Sequence, residues 1–196
     1  EVKEQQDRFG AIYTMQILPE LAANNIHIVD SEHCTKEQQE FTNTYFKDHV
    51  KKHLEIKKVD LFKENDLFLD NAMIYFLITF DNENELGVVN IPLDQCGRFV
   101  YFEHGKNMLT YLDEIVRSEL PCLFPKDNIT GIYEIKLSRD AELYIEDQYE
   151  GVLAEKIYES LKQRTDGQPT RLLYDAAMPK AVQKKLRHLL HLGKID

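Results

Sequence analysis

Tryptophan is absent from this 196-residue chain, while cysteine occurs three times, proline six times and glycine eight times. Each scarcity excludes something. Cys34, Cys96 and Cys122 are widely spaced, odd in number and without a Cys-x-x-Cys pair, so they read as free thiols of a reducing compartment. The scattered prolines and glycines leave no linker, and neither an internal repeat nor a low-complexity tract is present. The longest apolar run, Ala72 to Phe80, is far shorter than the ~20 residues a membrane-spanning helix needs. The N-terminal Glu-Val-Lys-Glu-Gln-Gln has no signal-peptide core. A P-loop, a Gly-rich dinucleotide turn, a Gly-x-Ser-x-Gly elbow and a paired Cys and His nucleophile signature are all missing. Positive charge is in deficit too: 24 Lys and Arg against 34 Asp and Glu leave a net charge of −10. An acidic surface repels polyanions, which argues against a DNA-binding module and requires any polyanion to find a local basic patch or a basic surface outside this chain.

What is present describes a soluble globular protein with a proper core, 43% hydrophobic and 30% charged, for which one compact domain is the simplest organisation. Phe9, Ile12, Tyr13, Ile17 and Leu21 recur at helical spacing, with Pro19 expected to kink or break that helix near Leu18. Ile26 to Val29 reads as a short strand. Thr35 and Gln38 form a capping box that starts a helix over about Lys36 to Leu54. Met73 to Phe80 and Gly87 to Ile91, separated by a polar turn, read as a hairpin whose first strand is buried on both faces. Arg98 to Phe102 is a weaker strand. Met108, Tyr111, Leu112 and Ile115 mark a helix that must stop before Pro121. Tyr133, Ile135 and Leu137 alternate as a half-exposed strand, Val152 to Leu161 carries a helical stripe, and Thr170 to Tyr174 reads as a strand. Ile132 to Tyr174 fits either a right-handed βαβ crossover or an antiparallel arrangement. Pro179 suits the first position of a last helix. Mixed helices and strands with a hairpin make the fold α+β, with a largely antiparallel sheet and about five helices.

Three constellations bear on chemistry. His49 and His53 have the i,i+4 spacing of a zinc pair but lack a Glu between them and a third ligand, so packing at a helix edge is the plainer reading. On the last helix Lys180, Lys184, Arg187, His188 and His191 fall within about 100° of arc, opposite Val182, Leu186, Leu189 and Leu190. That cationic stripe fits a polyanion, an acidic neighbouring domain, or an ordinary solvated face. Arg139, Asp140 and Glu142 gather where a strand turns, which suits a docking or capping turn. Residue chemistry alone assigns no catalytic, cofactor-binding or metal-binding residue.

Longer motifs add a resemblance. Arg8-Phe-Gly-Ala-Ile-Tyr, Glu20-Leu-Ala-Ala-Asn-Asn-Ile-His-Ile and Tyr45-Phe-Lys-Asp-His-Val-Lys-Lys-His-Leu are followed by Arg98-Phe-Val, Ser138-Arg-Asp-Ala-Glu-Leu and Pro169-Thr-Arg-Leu-Leu-Tyr with Met178-Pro179. In this order they resemble the landmarks of polyphosphate kinase, the histidine-phosphorylating family that lacks a P-loop. The resemblance implies that residues 1–23 end the N-terminal domain of a longer enzyme and that residues 24–196 form its head domain. A start at Glu1 instead of Met fits such a piece. The parent would move the terminal phosphate of ATP reversibly onto polyphosphate, with Mg, through a phosphohistidine. That histidine and most nucleotide contacts lie in the family's other domains, so the resemblance transfers no catalytic residue and no cofactor to this segment. It implies a head that serves dimerisation and frames the nucleotide site, with the remaining domains of the parent as its partners. It also implies a homodimeric parent, while the net charge, the short apolar runs and the free thiols lead to no nucleic-acid partner, no transmembrane segment and a cytoplasmic location, with peripheral membrane association left open. The alternative is a free-standing acidic binding module that docks a phosphorylated or acidic partner through the basic face of the last helix.

Overall fold

A computed structural model describes residues 2–63, 66–102, 107–139 and 169–192. They divide into two compact units, one of residues 1–54 and 92–125, the other of residues 55–91 and 126–196. Both mix helices with strands, so the α+β expectation holds.

The first unit opens with α1 (Val2–Ile12), a π turn (Tyr13–Ile17) and α2 (Leu18–Ala23). Proline at 19 neither breaks nor ends this helix. The distortion lies one turn earlier, where Leu18 N–H donates to the Tyr13 carbonyl five residues back. A widened turn is a common way for a helix to absorb a proline's missing donor and bulky ring. The strands β1 (His27–Ile28), β5 (Phe99–Tyr101) and β6 (Met108–Tyr111) form a sheet in the order β1-β6-β5, parallel between β1 and β6 and antiparallel between β5 and β6. Met108 to Tyr111 is therefore a strand, not the helix expected there; α5 (Leu112–Leu123) begins only at its end. α5 also continues through Pro121 instead of stopping before it. Lying two residues from the helix end, Pro121 removes one donor from a turn that is already terminating. α3 (Lys36–Tyr45) begins at the expected capping box, with Gln38 N–H donating to Thr35 Oγ1 at 3.3 Å and Thr35 N–H to Gln38 Oε1 at 2.9 Å. It continues through a π turn (Phe46–Val50) and a 3₁₀ turn (Lys51–His53). A short α4 (Leu93–Cys96) ends at Gly97, whose φ of 74° suits a residue without Cβ.

The second unit is a five-stranded antiparallel sheet, built from β2 (Ile56–Asp60), β3 (Ile74–Phe80), β4 (Glu85–Asn90), β7 (Ile129–Arg139) and β8 (Pro169–Tyr174). The order is β2-β4-β3-β7-β8. β3 and β4 form the expected hairpin, pairing Leu77 with Val88, and β3 is buried on both faces. β7 and β8 pair antiparallel, with Leu137 opposite Leu172, which resolves the alternatives left open by the sequence. The helical stripe from Val152 to Leu161 lies outside the described residues. Side chains two apart on successive strands share one face, so Tyr75, Leu77, Leu86, Val88, Ile135 and Leu137 make a common apolar layer. α6 (Lys180–Leu189) covers it with Leu186 and Leu189, which are 0% and 1% exposed. Pro179 is the residue before α6, one position earlier than expected.

Candidate functional site

The cationic stripe of the last helix divides in the structure. Burial of Leu186 and Leu189 sets the rotation of α6, leaving Lys180, Lys184 and His188 exposed and Arg187 half-buried. His191 leaves the stripe. It follows the helix with a φ of 51°, and the N–H groups of His191 and Leu192 donate to the carbonyls of His188 and Arg187, a Schellman closure with His where Gly is usual. The His191 ring then pairs with Asp66, and Leu67 N–H caps the Leu189 carbonyl at 2.9 Å.

Arg139 ends β7 and works within the fold. Its backbone N–H donates to Asn71 Oδ1 at 2.9 Å, its Nε–H donates to the Leu69 carbonyl at 3.0 Å, and its guanidinium lies 4.4 Å from the Phe68 ring centroid. Its proposed companions Asp140 and Glu142 lie outside the described residues. The loop it fastens also ties Tyr75, whose hydroxyl donates to Asp70 Oδ2 at 3.0 Å. Burial foremost, with Asp70 beside it, pushes the Tyr75 hydroxyl up to about 12.

His49 sits in the π turn with its ring 4.9 Å from that of Tyr45, and His53 in the 3₁₀ turn. Two different helical pitches thus intervene where a zinc pair requires a regular turn. Among the described residues no cluster of three or more His, Cys, Asp or Glu could hold a metal ion. All three cysteines are free; burial, with Asp30 and Glu114 nearby, pushes the Cys34 thiol up, away from nucleophilic activation.

One concavity of the first unit escaped the sequence reading. It encloses about 250 Å³ between α3 and α5, with Asn43, Thr110, Glu114 and Glu119 among its lining residues. Both carboxylates have neutral donors, and Glu114 Oε1 also lies 3.7 Å from Arg117 Nε. Ser31 gives its N–H and its hydroxyl to Glu114 Oε2 at 3.1 and 2.6 Å, and Asn43 Nδ2 donates to Glu119 Oε1 at 2.7 Å. Negative lining makes this a poor receptacle for phosphate. Only the i,i+4 spacing of Glu114 and Ser118 along an amphipathic helix could have hinted at it.

A second cluster surrounds Tyr111. Its hydroxyl meets that of Tyr13, the Arg98 guanidinium lies 5.3 Å from its ring centroid, and the Phe99 ring is also 5.3 Å away. Burial, then the Tyr13 hydroxyl, pushes the Tyr111 hydroxyl up to about 12.

A family model described as the polyphosphate kinase middle domain matches residues 37–196. The chain belongs to the polyphosphate kinase family. It is 28% identical over 206 residues to the polyphosphate kinase of Salmonella typhimurium and 27% identical to that of Escherichia coli K12, in each case covering all of this chain and 30% of the relative. The Yersinia pestis polyphosphate kinase is 28% identical over 204 residues. The chain thus spans about 30% of the length of the curated polyphosphate kinases that it matches. The fold is shared with the crystal structure of polyphosphate kinase from Porphyromonas gingivalis, at a TM-score of 0.76 and 21% identity over 98% of this chain and 28% of that one. Among the described residues no helix is long and apolar enough to cross a membrane.

Proposed function

We propose that this chain is the head-domain segment of a polyphosphate kinase, with residues 1–23 closing the preceding domain and residues 24–196 forming the head. In this reading the parent enzyme reversibly transfers the terminal phosphate of ATP to polyphosphate with Mg, through a phosphohistidine outside this segment. The head contributes dimerisation and frames the nucleotide site. The observation that carries the reading is the middle-domain match over residues 37–196, in a chain that spans about 30% of its relatives. The electrostatics agree with an auxiliary role. Phosphoryl transfer depends on cations placed around the moving phosphate, and the concavity of the first unit presents carboxylates instead.

The test is ATP-dependent polyphosphate synthesis by the 196-residue chain beside the full-length enzyme. The expected result is turnover by the full-length enzyme alone. Turnover that co-purifies with the 23.0 kDa chain and persists after repurification would assign catalysis to this segment. Sedimentation of the full-length enzyme across a concentration series tests the homodimer.

A further inference from the structure

The outward face of α6 carries a charge pattern found nowhere else in the described chain. From Met178 to Leu192 the segment has Lys180, Lys184, Lys185, Arg187, His188 and His191 without one Asp or Glu, although acids outnumber bases 34 to 24 overall. Lys180, Lys184 and His188 are all exposed. At four-residue intervals they stand about 6 Å apart along the helix axis and span roughly 12 Å. Three other lysines of the second unit are engaged within the fold. Lys185 Nζ donates to the Glu83 carbonyl at 2.8 Å, Lys58 bridges Glu85 and Asp127 at 2.9 and 2.7 Å, and Lys63 holds Asp60 at 3.0 Å. No ion pair among the described residues uses Lys180 or Lys184. A regular row of basic side chains with no acid between them, two lysines followed by a histidine, matches a ligand that is itself a row of negative charges, because neutralising each additional anionic group releases another condensed counterion. A single carboxylate or phosphate would use only one member of the row.

We propose that Lys180, Lys184 and His188 form an accessory strip for a linear phosphate polymer, holding a stretch of chain remote from its reacting end. The inference rests on the reading that this chain works within a polyphosphate kinase. Length is the discriminating property, since tripolyphosphate is too short to lie along the whole row.

The experiment uses the full-length enzyme with Lys180→Glu/Lys184→Glu and the milder Lys180→Gln/Lys184→Gln. KM for long polyphosphate and for tripolyphosphate is measured in the direction of ATP formation, across a salt series. The expected result is an increase of about tenfold in KM for long polyphosphate on charge reversal, a smaller increase with Gln, unchanged kcat, and little change with tripolyphosphate. The slope of log KM against log salt should also become shallower by about 1 to 2. Unchanged KM and slope would overturn the strip, as would an equal effect on both substrates. Loss of assembly in sedimentation without any length dependence would reassign the face to an acidic neighbouring domain and equally overturn it. A wild-type enzyme that does not turn over polyphosphate would overturn the functional reading instead. Fluorescence anisotropy of labelled long polyphosphate with the wild-type and doubly reversed 196-residue chains then decides the strip by itself, equal affinities counting against it.

Discussion

The two units of this chain differ in the polar groups that they bury. In the second, one face of the sheet and α6 enclose an apolar layer in which Leu77, Leu137 and Leu186 are each 0% exposed. In the first, the buried set includes Thr42, Thr110, Asp113 and Glu119, while Phe9 and Met15 of the opening helix are 67% and 76% exposed. The second unit therefore follows ordinary area burial, in which apolar surface removed from water outweighs the cost of ordering the chain. The first also buries apolar side chains, Phe46, Leu112, Val116 and Leu120 among them, but sets polar groups such as Glu119 beside them, whose net contribution is small and whose disruption is expensive. Both units should be sensitive to lost volume, and the first to lost hydrogen-bond partners as well.

The largest expected effect attacks the first half of that contrast. Leu186→Ala removes a fully buried side chain from α6 and should cost about 2–5 kcal/mol, read as a lower urea midpoint at constant slope. A cost below about 1 kcal/mol would mean that α6 is not needed to cover the sheet. The corresponding test of the first unit is Asn43→Ala, which strips the 2.7 Å donor from the buried Glu119 carboxylate and should cost about 1–3 kcal/mol. Replacing both residues together, with Glu119→Leu added, should recover part of the loss, because an apolar pair leaves no carboxylate stranded.

These two targets differ in how visible they were before the structure. Leu186 could be read directly, since α6 separates apolar from cationic residues at helical period, and the capping box at Thr35 and the continuous run of β3 were as plain. Local signals sufficed there because the neighbours in sequence are also the neighbours in space. β6 was misread as helix because four residues are too few to establish a period, and one of its two partner strands, β1, lies some eighty positions away. β2 went unnoticed because only Val59 of its five residues is buried and Lys57 and Lys58 mask the alternation, as lysines on an edge strand commonly do. The candidate site was less legible than the fold. Rotation of α6 places Lys180 and Lys184 outward as the spacing implies, but the left-handed turn at His191 and its contact with Asp66 depend on a loop over a hundred residues earlier. The burial of Glu119 depends equally on Asn43, which no spacing rule connects to it.

Asp113 sharpens the contrast through pH. It is 7% exposed, its Oδ1 has no hydrogen-bond partner, and burial, only partly opposed by a backbone hydrogen bond and by Arg98, raises its pKa above the ordinary 3.8. Between the unfolded and folded values the native state binds a proton that the unfolded chain has released, so stability falls as pH rises through that window. Above the window the full penalty remains. Asp113→Asn cannot titrate, so it should exceed the wild type by on the order of 1 kcal/mol at neutral pH and lose that advantage as the pH drops below the ordinary Asp range. Urea midpoints at neutral and acidic pH measure this. An advantage of equal size at both would point to a cause other than the buried charge.

The smallest expected effect concerns the opening helix. Phe9 and Met15 are large apolar residues, yet at 67% and 76% exposure they remove little area from water within this chain. Phe9→Ser and Met15→Ser should therefore change its stability by no more than about 0.5 kcal/mol, the range of ordinary surface substitutions. Apolar surface presented in this way does not stabilise the chain that carries it and is the kind of surface that marks contact with another protein surface. The same two substitutions in the full-length polyphosphate kinase separate the possibilities. A loss of several kcal/mol there, against near-neutrality in the 196-residue chain, would place the covering partner in the remainder of the enzyme. Near-neutrality in both would leave the helix an exposed arm and confine the stabilising burial of the first unit to α3, α5 and the small sheet.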